Sequence, residues 1–511
     1  MTRPQPLRRL VVVLGDQLDA DSRALDGFDP ARDAILMTEA AEEATYVPQH
    51  KKRLVMFFAA MRHFADSQRA EGRRVLYRRL DDEGAPETLA DSLRRTAAGE
   101  TPEEIVVVRP GDWRVLQALR DAAPALRVIE DGHFLSTPQD WEALRAGRKR
   151  FILEDFYREM RRRTGWLMDG PDPVGGAWNF DKDNRKPFGR DGPGLIPRRP
   201  HDAPDAITLE VMRMVERRFP DAPGSTQGFA EPVTRRQALA HLDAFVRDRL
   251  AGFGDHQDAI AMGHATLNHS RISAALNLKL LNPREVCERA IAAFNAGHAP
   301  LNAVEGFVRQ ILGWREFTRG VYWALMPEYA TRNALGADQP IPKLFWDGQT
   351  DMACLRDSVG QLLREAYAHH IQRLMVMGLF LMLWGARPDR THDWHMGMYV
   401  DAVDWVSLPN MLGMSQHADG GVVGTKPYCA SGAYIDRMSD CCRACRYDPK
   451  QATGPRACPF TTLYWDFLRR HRDRFRGNMR MKMQLSNLAR KSDEEVAAVA
   501  RAADRLRETL A

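Results

Sequence analysis

The chain has 511 residues, of which 44% are hydrophobic and 28% charged, an ordinary globular balance that excludes wholesale disorder. A chain of this length buries a large core and is expected to fold as two or more domains. Its net charge of +5 permits a nucleic-acid partner without demanding one.

The start, "MTRPQPLRRLVVVLGDQLD", holds an apolar run of only five residues before Gly15 and Asp16. That is too short for a signal-peptide core or a membrane span. No uninterrupted apolar run of roughly 18 residues follows, so a cytoplasmic protein with no membrane partner is expected. Residues 1–135 alternate short β-branched runs, "LRRLVVVLG", "DAILMTE", "RRVLYRRL", "EEIVVVRPG" and "LRVIEDG", with helical stretches such as "HKKRLVMFFAAMRHFADSQRAEG". The alternation predicts a parallel sheet flanked by helices, a Rossmann-like α/β domain. Ligands of such sheets sit beyond the C-terminal ends of the strands, where Gly15-Asp16-Gln17 and Thr38-Glu39 fall. No G-x-G-x-x-G or P-loop follows the first strand, which argues against an NAD or ATP site there.

Residues 136–205 read as an interdomain linker. From 164 to 200 the composition turns to Gly, Pro and Asp, "TGWLMDGPDPVGGAWNFDKDNRKPFGRDGPGLIPRRP", a long connection laid over the surface. Loops of this length inside folded proteins are often functional. Trp178, Phe180 and "DKDNRK" give this one groups to bind with.

Residues 206–511 form a nearly all-α domain. "RRQALAHLDAFVRDRL", "LNAVEGFVRQILGWREFTRGVYWALM" and "LREAYAHHIQRLMVMGLFLMLWG" carry long apolar faces at helical spacing. Asn282-Pro283 and Arg387-Pro388 are read as interrupting or ending helices. Within this half, Ser270-Arg271-Ile272-Ser273 opens a helix. Its hydroxyls and free N–H groups suit phosphate, with plain capping by Ser as the alternative. His369 and His370 stand side by side near Arg373 and offer acid–base chemistry near neutral pH. Seven of the eleven tryptophans lie beyond residue 300, packing the core or passing single electrons. The run "RRHRDRFRGNMRMK", residues 469–482, sets seven Lys or Arg against one Asp; it is either a solvated helix face or a phosphate-binding one.

Residues 441–459, "CCRACRYDPKQATGPRACP", hold four of the seven cysteines. In a reducing compartment a disulfide knot is disfavoured. Cys442-x2-Cys445-x12-Cys458-Pro459 supplies three thiolates, suited to zinc or to an iron–sulfur cluster. Proximity in the loop favours Cys429 as the fourth ligand over the distant Cys354.

Several of these segments carry a resemblance. "SRISAALNLKLLNPREV" followed by "FVRQILGWREFTRGVYW" is similar to the flavin-domain signature of the photolyase and cryptochrome family. "VVVLGDQL", "EEATYVPQHKKRLVMFFAAMRHF", His369-His370 and the cysteine loop resemble its bacterial iron–sulfur branch. The resemblance spans nearly the whole chain. It implies an N-terminal antenna domain and a C-terminal FAD-binding domain that includes an iron–sulfur loop at 429–460. It implies a [4Fe-4S] cluster on Cys354, Cys442, Cys445 and Cys458, with Cys287, Cys429 and Cys441 left as bystanders. FAD would lie with Ser270, Arg271 and Ser273 near its phosphates and Asp401, Asp404 and Asn410 near its ring. A 6,7-dimethyl-8-ribityllumazine antenna would sit near Asp16, Glu39 and Tyr46. Trp346 and Trp394 match the family's photoreduction aromatics, although His395 stands where an aromatic is expected.

The activity implied is light-driven repair of (6-4) photoproducts in UV-damaged DNA by a monomer. His370, backed by His369, would move the proton, Asp183 and Met414 would shape the lesion pocket, and Arg469 and Arg470 would begin the phosphate-binding face. A cryptochrome photoreceptor that uses the same FAD without repair is the alternative.

Overall fold

The computed structural model describes residues 7–148 and 152–510. Five parallel strands, β1 (Arg9–Val12), β2 (Asp33–Thr38), β3 (Val75–Arg78), β4 (Glu104–Val108) and β5 (Arg127–Ile129), form one sheet in the order β3-β2-β1-β4-β5. All five coincide with the β-branched runs of the sequence. Val11 pairs with Ile35 on one side and with Val106 on the other. β1 and β2 are buried along their whole length, as a parallel strand covered on both faces must be. Chain order reverses between β1 and β4, so the crevice beyond their C-terminal ends is where such sheets receive ligands. The 20-residue helix Lys51–Ala70 buries Leu54, Val55, Met56 and Phe58 against the sheet domain's core.

The segment read as a linker is more ordered than its composition suggests. It includes the helices Pro138–Arg145 and Leu153–Thr164, and Trp141 packs on Phe156 and Phe317 at 5.7 and 5.4 Å. In the Gly-rich stretch, Trp178 lies against the guanidinium groups of Arg158, Arg161 and Arg162 at 5.4, 5.4 and 4.9 Å. These cation–π contacts pin the loop to a helix it follows in sequence.

The remainder is helical, with three departures from the expected elements. Asn282-Pro283 and Arg387-Pro388 begin helices, Pro283–Asn295 and Pro388–Met398, instead of ending them. Proline at the first helical position lacks only an N–H that would be unpaired anyway. The helix expected across 363–385 breaks, because Ala366 takes φ +51° and the chain re-enters helix at His370. Finally, three π-helical segments, Arg309–Arg315, Arg373–Gly378 and Pro409–Ser415, widen otherwise α-helical stretches.

The two halves meet along a specific seam. Leu18 N–H donates to Leu278 O, and Trp405 N–H donates to Gly111 O, both at 3.0 Å. Lys279 and Asp131 form a buried ion pair at 2.7 Å. Phe134 is covered by Arg315 and Arg319 at 4.1 and 4.0 Å and meets Trp405 edge-on at 5.0 Å. Among the described residues, no helix is long and apolar enough to cross a membrane.

Candidate active site

A cavity of about 1310 Å³ opens in the helical half, larger than the ~300–1,000 Å³ typical of small-ligand sites. All three π-helical segments contribute to its wall: Arg309 and Gln310, Arg373 and Leu374, Asn410 and Met411. An extra residue per turn bulges the backbone and re-aims side chains, which is why such segments recur at binding sites. One wall is organised by Asp401, whose carboxylate takes two hydrogen bonds from Arg373, at 2.9 and 3.0 Å, and one from Ser273 Oγ. Burial pushes that carboxyl up, but Arg373 and the Ser273 hydroxyl outweigh it and hold Asp401 below the usual range. Asn277 Nδ2 donates to the Asp401 carbonyl at 2.7 Å and fixes the turn.

Ser270, Arg271, Ser273, Asp401, Asn410, His370 and Met414 all line this cavity, as expected. Arg271, held at φ +54°, spends its charge on Glu231 and Glu365, at 2.6 and 3.1 Å, and lies over the Tyr367 ring at 4.4 Å. Buried polar atoms without a protein partner cluster on the same wall: Arg271 Nε, His395 Nδ1 and Ser407 Oγ. Each such atom costs ~1–3 kcal/mol unless something satisfies it. A large polar cofactor fits that requirement.

Two assignments to this cavity need correction. Asp404 lies at the domain seam instead, where His392 Nε2 donates to it at 2.8 Å and the Tyr322 hydroxyl donates to its other oxygen. It follows Asp401 by only three residues, but the chain turns between them and aims the two carboxylates apart. Asp183 points to solvent; Asp181 and Arg185, which flank it, line the cavity, and Asp181 accepts from Arg309. Sequence reasoning also missed Lys426, Tyr428, Tyr434 and Arg437, which line the cavity from the loop that leads to the cysteine turn.

His369 is buried behind His370, and its ring stacks on His269 at 4.5 Å with an 8° interplanar angle. Trp394 is buried outside the cavity; its Nε1 donates to Phe345 O at 3.2 Å, and the next residue, Trp346, is 37% exposed. His395 occupies the wall position after Trp394. The Tyr399 ring lies 4.4 Å from His395 and 5.9 Å from Trp394.

The crevice at the β1/β4 switch point holds Asp16 and Tyr46. Asp16 accepts from Gly111 N–H at 3.2 Å, and burial raises its carboxyl pKa. Gly111 leaves room for this contact, since a Cβ would stand 2.2 Å from an Asp16 side-chain oxygen and 3.0 Å from the Trp405 ring, so the Asp16 carboxylate would have to move. Asp112 caps the helix Trp113–Ala122, and burial together with Asp404 pushes its carboxyl up to about 7. Tyr46 lies under Arg114 at 4.8 Å. Glu39, by contrast, is fully engaged: it accepts two bonds from Arg62, at 2.7 and 2.9 Å, one from the Tyr77 hydroxyl and one from Leu80 N–H. Its place is that of a buried structural anchor.

Cys354, Cys441, Cys442, Cys445 and Cys458 surround a small separate cavity. Cys429, favoured by loop proximity as a ligand, lines the large cavity instead. Cys354 lies in the first turn of Ala353–Glu365, and Cys458 is the N-cap of Pro459–Arg470. Both helix N-termini favour negative charge, which suits thiolates. Gly432 makes the close approach possible, because a Cβ there would stand 2.9 Å from Cys458 Sγ. Among the described residues no three His, Cys, Asp or Glu side chains converge to hold a single metal ion. Thiols spread around a cavity suit the corners of a multi-atom cluster better than a zinc ion.

The basic run after residue 468 is partly spent inside the protein. Arg469, Arg470 and Arg507 all donate to the buried Asp466, so the first two begin no free basic face. Arg480, further along, lines the large cavity.

A parallel antenna-type sheet joined to a helical body with a cofactor-sized cavity is the architecture of photolyases and cryptochromes. Two solved structures share it: a cryptochrome of Synechocystis sp. PCC6803 (TM-score 0.56, 13% identity, all of both chains covered) and a class III photolyase of Agrobacterium tumefaciens (TM-score 0.55, 17% identity, 86% of this chain and 87% of that one). The family described as deoxyribodipyrimidine photo-lyase-related protein matches residues 11–230. A (6-4) photolyase of Agrobacterium fabrum is 47% identical over 492 residues, 96% of this chain and 97% of that one. The chain belongs to the (6-4) photolyase family.

Proposed function

We propose that the protein uses light to reverse (6-4) pyrimidine photoproducts in DNA, with FAD in the large cavity. The observation that carries this reading is a cavity wall of unsatisfied polar groups with His370 exposed to it, in a chain 47% identical to a (6-4) photolyase. When bound, the reduced flavin supplies light-driven one-electron donation. Ser270 and Arg271 would hold its phosphates, and Asp401 with Asn410 would orient its ring. The lesion reaches the cavity by leaving the duplex stack, and Met414, Asp181 and Arg185 shape the space it enters. His370 moves the proton during bond rearrangement; burial, with His269 and Arg373 nearby, lowers its imidazole to about 4, so at neutral pH it enters the reaction uncharged, as a proton acceptor. Trp394, with Trp346 at the surface, would relay electrons inward from an external reductant to restore the reduced state.

The reading extends to two further groups. A [4Fe-4S] cluster on Cys354, Cys442, Cys445 and Cys458 fits the two helix N-termini. A ribityl lumazine antenna fits the switch-point crevice beside Asp16 and Tyr46. The test is illumination of the reduced protein with a (6-4)-containing oligonucleotide, followed by chromatography. Restored pyrimidines are expected under light and not in the dark; an untouched lesion in both arms would remove the assignment.

A further inference from the structure

His269 lines the same cavity but is unused by the reaction proposed above, and its ring is held by several neighbours. One face stacks on His369 at 4.5 Å, nearly parallel, and Phe253 meets the ring edge-on at 5.8 Å and 83°. Nε2 lies 3.0 Å from Gln257 O and Nδ1 lies 3.2 Å from Thr266 O. A carbonyl only accepts, and a neutral imidazole has one N–H, so the two contacts are both hydrogen bonds only in the imidazolium. In the neutral ring one of the two is a hydrogen bond, which ties that edge of the ring to the backbone. His369 is the opposite case: it is buried, and neither ring nitrogen has a partner. Its orientation is set by the stack.

We propose that His269 is a positioning residue for repair: tied to the backbone by its one N–H and packed edge-on against Phe253, it holds the His369 ring by stacking and so aims the adjoining His370 at the lesion. This rests on the repair reaction proposed above and adds to it a third histidine, more than 90 residues upstream of the pair. The charged and titratable groups around the stack are Arg249, whose guanidinium donates to the His269 carbonyl, Arg373, and the histidines themselves. Burial, with those cations, keeps His269 and His369 neutral near pH 7, which favours the face-to-face stack over mutual repulsion. His369 itself acts on His370 through the shared backbone, since the two are adjacent.

The test compares the flavin-loaded wild type with His269→Phe, which keeps a flat face, and His269→Ala, which keeps none. Flavin content, dark binding of (6-4) DNA and single-turnover repair against pH are measured for each. In His269→Ala, repair is expected to fall by about 10–100-fold, a part of the ~10²–10⁴-fold that acid–base transfer contributes. Flavin content and lesion affinity should stay unchanged, and the pH profile should move. His269→Phe should restore repair to within about 3-fold of wild type. Equal repair in wild type and His269→Ala would overturn the proposal, as would an equal loss in both variants or a loss that tracks flavin or DNA binding.

A second measurement stands apart from activity. Histidine-labelled protein should show upfield ring-proton shifts for His369 in the wild type and in His269→Phe. Ordinary shifts in the wild type would overturn the stack even where His269→Ala fails to fold. A wild type that repairs nothing defeats the function proposed above, while these shifts still report on the positioning.

Discussion

At Gly432 a single hydrogen atom decides whether the cysteine site can close. A methyl group there meets Cys458 Sγ at 2.9 Å and the Pro449 backbone at 3.1 Å. Backbone cannot yield as a flexible side chain does, so Gly432→Ala should displace the Cys458 thiol. Purified without oxygen, that variant is expected to carry less iron and acid-labile sulfide per chain than wild type. Undiminished iron would argue that the thiols do not hold a cluster. If the thiols hold the proposed cluster, Cys442→Ser should likewise remove its iron and lower the melting temperature. A stable, fully active, iron-free variant would show that the cluster has no structural role. Cys442, Cys445 and Cys458 were legible because Cys-x2-Cys spacing and Cys-Pro are local signals; Cys354 came only from resemblance, since loop proximity pointed to Cys429. Gly432 was not legible, because the need for a missing side chain arises only when distant segments meet. Asp183 was misplaced by the same blindness. Three polar residues in a row look alike in sequence, and only the fold decides which of Asp181 and Asp183 faces inward.

Among the helices, the C-terminal Asp493–Leu510 is docked through one buried carboxylate. Asp466 accepts from Arg469 at 2.8 Å, Arg470 at 3.0 Å and Arg507 at 2.7 Å, and it is fully buried. Asp466→Asn leaves Arg469 and Arg470 short of a counter-charge and Arg507 with only Asp504; because these guanidinium groups are partly exposed, the cost is about 1–3 kcal/mol. Trypsin should then cut first near the last helix, and an unchanged digestion pattern would show that apolar packing alone holds it. Burial opposes ionisation of Asp466, but the arginines prevail and depress its pKa. Its contribution to stability is therefore complete above the ordinary carboxyl pKa of about 3.9 and lost as pH falls through the lower folded value. The five strands and most helices were readable from periodicity. The π-helical segments were not, because a one-residue insertion leaves an apolar face nearly intact. Nor was the break at Ala366, whose left-handed φ is imposed by packing and not by residue type.

For the whole molecule, the seam between the halves concentrates acid. Asp112, Asp404 and Glu43 stand together, and burial with Asp404 raises Asp112 to about 7. A carboxyl whose folded pKa exceeds its unfolded value weakens the native state as it ionises. Stability should therefore decline between the ordinary value of about 4 and about pH 7. Asp112→Asn keeps a good helix cap and removes the charge. It should flatten that decline and stabilise the protein by roughly 1–3 kcal/mol at pH 8, measured by denaturant melts across pH. A steeper slope would reverse the assignment. DNA affinity should fall as salt rises, with a slope reduced by about 1 for each phosphate-contacting cation removed, Arg480→Gln among them. A slope that does not change would place Arg480 off the phosphates.

The loop and the helix Gly432–Met438 that together wall the large cavity, from Val423 onward, run directly into the cysteine turn at Cys441. One strand of chain thus serves as the gasket of one chamber and the mooring of the other. If the proposed cluster occupies the sulfur site, its corrosion by air should therefore announce itself elsewhere, as yellow pigment leaching from stored preparations before the polypeptide itself precipitates.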